Sequence, residues 1–304
     1  MDMRETVTAK RLPEWAKKRL GPASSVRDVK VLLRKRGLHT VCESARCPNI
    51  GECFSKPTAT FMILGAVCTR RCGFCGVEKN TLPFAVDPDE PHNIALTAKE
   101  LSLKNVVITS VTRDDIHDGG AAQFALTIRA IKDTISTISV EVLTPDFKGD
   151  LLALKAVLDE KPDIFNHNLE TVPSLYRLVR PQADYLRSLD VLEAARDSGV
   201  RTKSGIMAGL GETKEEVKTL LRDLFSVGCS AVTIGQYLRP TRESLEVREY
   251  VRPEVFDEYR EYGLSIGLKY VYSGPFVRSS YNAELFMDHG KDTANIGQST
   301  ELKG

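Results

Sequence analysis

The stretch TFMILGAVCTRRCGFC, residues 60–75, runs an apolar segment straight into three cysteines, Cys68, Cys72 and Cys75, spaced CxxxCxxC. The apolar part has the length and composition of a buried strand, predicted over residues 60–68. The cysteine part puts three soft ligands within eight residues and no fourth beside them. A closed structural zinc site takes four ligands, whereas three thiolates leave one metal position open. An incomplete ligand set at the C-terminal end of a strand sits where a parallel barrel places its chemistry.

Outward from this stretch, short apolar runs alternate with segments of helical pattern. Strands are predicted at NVVITSV (105–111), ISVEVLT (138–144), DIFNHNL (163–169), TKSGIMAG (202–209) and AVTIGQY (231–237), with helical stretches such as QFALTIRAIKDTI and LLALKAVLDE between them. That alternation implies parallel strands joined by helical crossovers. Six units make an α/β fold of the partial (β/α)6 barrel kind, with a doubly wound open sheet as the alternative. LKYVYSG (268–274) is a possible seventh strand. Residues 1–58 read as an N-terminal extension, 59–265 as the barrel and 266–304 as a C-terminal extension.

The chain has 304 residues, 42% hydrophobic and 27% charged, the balance of a soluble globular protein. No apolar run reaches the roughly 20 residues of a membrane helix, and the N-terminus lacks the apolar segment of a secretory signal. Asp2, Glu5 and Glu14 interrupt what a mitochondrial transit peptide keeps acid-poor, so a reducing, cytoplasmic setting is expected. Six of the seven cysteines fall between residues 42 and 75, which points to metal ligands rather than a disulfide framework. Cys229, alone in SVGCSAV, reads as a buried inert thiol.

A net charge of +1 gives no reason to expect nucleic acid. Locally, residues 10–36 carry ten Lys and Arg against Glu14 and Asp28, a net of +8 suited to an acidic protein surface or to a solvated helix face.

VCESARCPNIGECF holds a second triad, Cys42, Cys47 and Cys53, spaced CxxxxCxxxxxC. Three more thiolates suit a cluster, although no general metal rule specifies these gaps. In FNHNLET, Asn166, Asn168 and Glu170 would share one strand face at period two, and such polar groups inside a barrel need partners or a polar ligand, unless Glu170 has already turned into solvent. TSVTRDD places Thr109, Arg113, Asp114 and Asp115 at the end of the second strand, for a charged ligand or for internal ion pairs. In GIMAGLGET, Gly209 and Gly211 would admit close backbone approach, and Thr213 with Glu216 reads as a capping box. Arg180, before a proline in VRPQADY, reads as exposed, with a possible ligand contact.

CTRRCGFC resembles the CxxxCxΦC signature of radical S-adenosylmethionine (SAM) enzymes, with Phe74 as the aromatic. The resemblance implies a [4Fe-4S] cluster on Cys68, Cys72 and Cys75 whose free iron binds SAM and whose reduction yields a 5′-deoxyadenosyl radical. The second triad is similar to the auxiliary-cluster motif of lipoyl synthases, and the likeness continues through VVITSVTRDD, FNHNLETV, VRPQADY, TKSGIMAGLGET, GQYLRP and GPFVRSSYNA. It implies a second [4Fe-4S] cluster on Cys42, Cys47, Cys53 and a serine of the RSSY motif, Ser280 with Ser279 as the fallback. Phe74, Thr109, Arg113, Asn168, Glu170, Arg180 and Gly209 become the expected cofactor contacts.

The implied reaction inserts sulfur from the auxiliary cluster at C6 and C8 of a protein-bound octanoyl chain. Its implied partners are an octanoylated lipoyl-carrier protein (H protein or a 2-oxoacid dehydrogenase lipoyl domain), a low-potential electron donor and cluster-assembly proteins, with no nucleic acid or membrane. A methylthiotransferase acting on RNA would need an appended binding module, for which the roughly 20 residues after RSSYNA are too few. A non-catalytic iron–sulfur protein would have no need of a polar, glycine-rich barrel mouth.

Overall fold

β-Branched apolar runs bounded by turns form the strands that hold the site. In the computed structural model, which describes residues 12–18, 23–81, 83–281, 283 and 286, they are β1 (Thr58–Ile63), β2 (Val67–Cys68), β3 (Glu78–Lys79), β4 (Asn105–Ser110), β5 (Ser139–Leu143), β6 (Ile164–Asn166), β7 (Arg201–Ala208), β8 (Ala231–Gln236) and β9 (Tyr270–Gly274). One sheet contains β1-β4-β5-β6-β7-β8-β9 in that spatial order, every pair parallel. The seventh strand is therefore present, and β1 and β9 form the two ends of the sheet.

The helices are α1 (Ala23–Lys35), the one-turn α2 (Val41–Ser44) and α3 (Ile50–Cys53), α4 (Glu90–Glu100), α5 (Ala121–Thr134), α6 (Leu151–Leu158), α7 (Tyr176–Val179), α8 (Tyr185–Asp197), α9 (Lys214–Ser226) and α10 (Pro253–Ser265). One core packs Phe61, Ile108, Phe124, Ile128 and Val142 between the first strands and helices α4 to α6. A second packs Ile206, Leu220, Leu224, Ile234 and Phe256 around β7, β8, α9 and α10. Each such side chain contributes roughly 1.5–3 kcal/mol on burial. Thr213 and Glu216 form the expected capping box at the start of α9.

Two strands are shorter than the sequence suggests. The predicted strand 60–68 stops at Ile63, because Leu64 (φ 68°) and Gly65 (φ 87°) take left-handed backbone. Cys68 lies beyond that turn, on β2, which pairs with β3 and not with the main sheet. β6 ends at Asn166 rather than Leu169, so Asn168 and Glu170 lie past the strand, with Glu170 (φ 67°) bridged to Ile206 of β7.

Below the mouth, the barrel interior is polar. Lys203 of β7 and Glu141 of β5, both essentially fully buried, pair at 3.1 Å, and Asn166 Nδ2 donates to Glu141 at 2.9 Å. Charges survive there because each is both paired and hydrogen-bonded.

Candidate active site

The loop carrying Cys68, Cys72 and Cys75 is pinned at nearly every residue. The Thr112 N–H donates to Cys68 Sγ (3.3 Å), and Asn80 N–H to the Cys68 carbonyl (3.0 Å). Thr69 is joined to Thr112 and Asp114 through backbone and hydroxyl. Gly73 donates to the Val179 carbonyl (2.8 Å) and accepts from Leu245 N–H (2.8 Å).

Arg70, 4% exposed, is bidentate to Asp114 (2.7 and 3.0 Å) and also donates to the fully buried Asp146 (2.6 Å). The sequence reading missed this anchor, although a charged residue inside a cysteine loop is its one legible sign. Burial alone would raise the Asp146 carboxyl; the Arg70 guanidinium instead holds it down at about 2.

The second triad is presented by α2 and α3 and tied to the RSSY turn. Lys18 donates to Asn49 Oδ1 (2.6 Å) and Glu52 (2.7 Å), Asn49 Nδ2 to the Phe276 carbonyl (2.7 Å), and the Tyr281 hydroxyl to Glu52 (2.9 Å). A pocket here is lined by Cys42, Cys47, Cys53, Arg278, Ser280 and Tyr281. Ser279 is occupied elsewhere, its hydroxyl accepting from Asn168 Nδ2 at 3.0 Å. A hydrogen bond from Cys42 lowers the Cys47 thiol to about 6, against its burial, with help from the Asn49 N–H, Arg278 and Lys18. Burial pushes Cys53 up to about 11 and Cys75 up to about 12.

A cavity of about 450 Å³ joins the two triads. Phe74 and Cys75 border one part of it, Cys42, Cys47 and Ser280 another, with Asn168, Glu170 and Arg278 also in its wall. Glu170 has not escaped to solvent: it is half-buried and accepts from Asn168 Nδ2 at 3.0 Å.

Four other expected contacts do not line this cavity. Thr109 donates to the Leu143 carbonyl (3.2 Å), and Arg113 forms the internal ion pair with Asp115 (2.8 Å). Arg180, at the C-terminus of α7, is buried rather than exposed, its Nη1 donating to the carbonyls of Asn168 (2.8 Å) and Leu169 (3.2 Å) and to the Tyr176 hydroxyl (3.1 Å). Gly209 (φ 99°) is required by its own neighbours: a Cβ there would lie 2.3 Å from the Glu249 carbonyl. Cys229 is a buried free thiol that donates to the Ala231 carbonyl.

Six cysteines in two triads are a donor set for soft metals. Among the described residues, no three His, Cys, Asp or Glu side chains converge closely enough to hold a single ion. Each triad supplies three soft donors, one short of a closed zinc site, a set that fits a cluster keeping one position open.

Residues 62–224 match the radical SAM superfamily, and residues 2–47 match the N-terminal domain of lipoyl synthase of that family. The lipoyl synthase of Caldicellulosiruptor saccharolyticus is 56% identical over 274 residues, 90% of this chain and 96% of the relative. The chain belongs to the lipoyl synthase family.

The lipoyl synthase of Chlorobaculum parvum is 54% identical over 275 residues, 90% of this chain and 94% of that one. Among solved structures, the Streptococcus suis protein SuiB bound to S-adenosylmethionine shares the fold at a TM-score of 0.57 and 12% identity, covering 81% of this chain and 53% of that one. Methylornithine synthase does so at 0.54 and 14%, covering 84% and 79%. In this lipoyl synthase family member, the family's N-terminal domain match ends at Cys47, inside the second triad.

Proposed function

We propose that the chain converts a protein-bound octanoyl group to a lipoyl group, adding sulfur at C6 and C8 with two molecules of SAM consumed. The observation that carries this reading is the single cavity whose wall contains Cys75 of one triad and Cys42, Cys47 and Ser280 of the other. An acyl chain held there lies within reach of both a radical source and a sulfur source, as a reaction at unactivated carbon requires.

In this reading Cys68, Cys72 and Cys75 hold a [4Fe-4S] cluster whose open iron takes SAM. The auxiliary cluster on Cys42, Cys47, Cys53 and Ser280 is a sulfur-donating substrate. When bound, the cluster of Cys68, Cys72 and Cys75 would supply the low-potential electron for reductive cleavage of SAM. The chain's own residues bind and orient. Arg70 fixes the cysteine loop, and Phe74 covers the cavity at its radical end. Asn168 and Glu170 offer hydrogen bonds in the wall, and the surrounding side chains exclude water. Oxygen is the hard ligand in an otherwise soft set, so Ser280 would be the first ligand released as the auxiliary cluster is consumed.

The carrier, an H protein or lipoyl domain, would dock on α1. Lys10, Arg11 and Arg19 of the basic segment lie outside the described residues. Lys18 is committed to Asn49 and Glu52, Lys30 to Glu43 (3.1 Å) and Arg36 to Glu100 (2.6 Å). Arg27 and Lys35 are exposed and line a surface groove with Val31, Leu32 and the acidic Asp28 and Glu100, so the basic character rests on these two cations alone. A low-potential donor and cluster-assembly proteins complete the partner set, in a reducing cytoplasm. Among the described residues, no helix is long and apolar enough to cross a membrane.

The test is mass spectrometry of an octanoyl-lysine carrier after anaerobic incubation with the reconstituted protein, SAM and a strong reductant. Gain of two sulfurs is expected, as the dithiol under reductant and with loss of two hydrogens once it is oxidised to the dithiolane. Release of 5′-deoxyadenosine from an unchanged carrier would overturn the substrate.

A further inference from the structure

One side-chain amide touches both ends of the cavity. Asn168 Nδ2 donates to Glu170 Oε1 at 3.0 Å and to Ser279 Oγ at 3.0 Å, spending both of its hydrogens. Glu170 stands with Phe74 and Cys75 in the wall, and Ser279 precedes Ser280 in the RSSY turn. The amide has little freedom. A Cβ on Gly205 would lie 2.8 Å from Asn168 Oδ1, so β7 backs directly onto it, and that oxygen is buried without a partner. Glu170 is fixed as well, its left-handed backbone held by hydrogen bonds to Gly205 and from Met207 (2.9 Å each).

The RSSY turn also packs on β8, where a Cβ on Gly235 would lie 2.0 Å from the Val277 carbonyl oxygen. Its backbone closes through Tyr281 N–H to the Arg278 carbonyl (2.9 Å), and Arg278 Nη1 turns back to its own neighbour, the Val277 carbonyl (2.6 Å). The Asn168–Ser279 bond thus connects the radical end of the barrel to the segment that carries Ser280.

We propose that Asn168 is a positioning residue that couples the two ends. A ligand engaging Glu170 draws that carboxylate away from the amide and changes the amide's hold on Ser279, and with it the placement of Ser280. The proposal rests on the reading that SAM enters beside Glu170 and that Ser280 serves the auxiliary cluster. Linkage makes the effect reciprocal: whatever SAM does to the turn, loosening the turn does to SAM affinity.

Hydrogen–deuterium exchange of residues 274–281, with and without SAM, tests this on the reconstituted protein and on Ser279→Ala and Ser279→Thr. In the wild type SAM is expected to change exchange in this turn severalfold. Ser279→Ala should abolish that response and shift the SAM dissociation constant severalfold, whereas Ser279→Thr, which keeps the hydroxyl, should retain both. An identical SAM response in the wild type and Ser279→Ala, or no response in a wild type that binds SAM, would overturn the coupling. Should Ser279→Ala fail to fold, Ser279→Gly, which also lacks the hydroxyl, carries the same expectation and the same overturning result. Failure of the underlying reading is separate: the wild type would then bind no SAM or leave the octanoyl carrier unchanged.

Discussion

Arg70, Asp146, Lys203 and Gly205 are where single side chains decide the outcome. Asp146 titrates at about 2 when folded, below the ordinary carboxylate value of 3.8. Its contribution, roughly 2 kcal/mol, is therefore complete above about pH 4 and is lost as pH falls towards 2. Urea titrations from pH 6 down to pH 3 should show this loss, and Asp146→Asn should flatten it. Lys203→Met leaves Glu141 charged and unpaired in the barrel, at a cost of about 3–5 kcal/mol. Adding Glu141→Gln should recover much of that, a non-additivity measurable by the double-mutant cycle. Gly205→Ala would set a Cβ 2.6 Å from Thr233 Oγ1 and 2.8 Å from Asn168. A stability loss of about 1–3 kcal/mol is expected by thermal melting. The cysteines were legible as ligands because three thiols in eight residues have few other uses. Asp146 and Arg180 were not, since their partners lie on other elements and one-dimensional spacing carries no sign of them. Glu141 did leave a trace, a single charge in the middle of an apolar strand, whereas Lys203 follows Arg201 at the start of β7 and reads as a strand-end cation.

At the scale of elements, hydrophobic period and turn chemistry located the strands well, and the errors lie at their ends. Nothing in FMILGAV distinguishes a strand of nine residues from one of six followed by a turn, because Leu64 takes a conformation its side chain disfavours. β6 was overestimated for a related reason: Asn168 and Glu170 continue the period-two pattern after the backbone has left the strand. The cap of α9, by contrast, was fully legible, since its two residues lie three apart in sequence. Thr213→Ala is expected to cost about 1 kcal/mol in chemical denaturation while iron content stays unchanged. For α1, reversing charge at Arg27 and Lys35 should weaken carrier binding at low salt and leave SAM cleavage intact; equal affinity for the variant would remove α1 from the docking surface.

Across the whole molecule, the seven-stranded sheet never closes on itself, and β1 and β9 remain its two ends. The pieces that bridge this side come from opposite ends of the chain: Glu52 and Tyr281, in contact, are 229 positions apart. A group held jointly by Cys42, Cys47, Cys53 and Ser280 would act there as a crosslink. It would fasten a loop of more than two hundred residues, a restraint on the unfolded chain comparable to that of a long-range disulfide, about 5 kcal/mol in the entropic picture. Iron chelation should accordingly lower the melting temperature, and by less in Ser280→Ala, where the long loop is already unfastened. An enzyme that spends the crosslink to make its product would emerge from each turnover mechanically looser than it began, and refilling the site would restore its stability together with its sulfur.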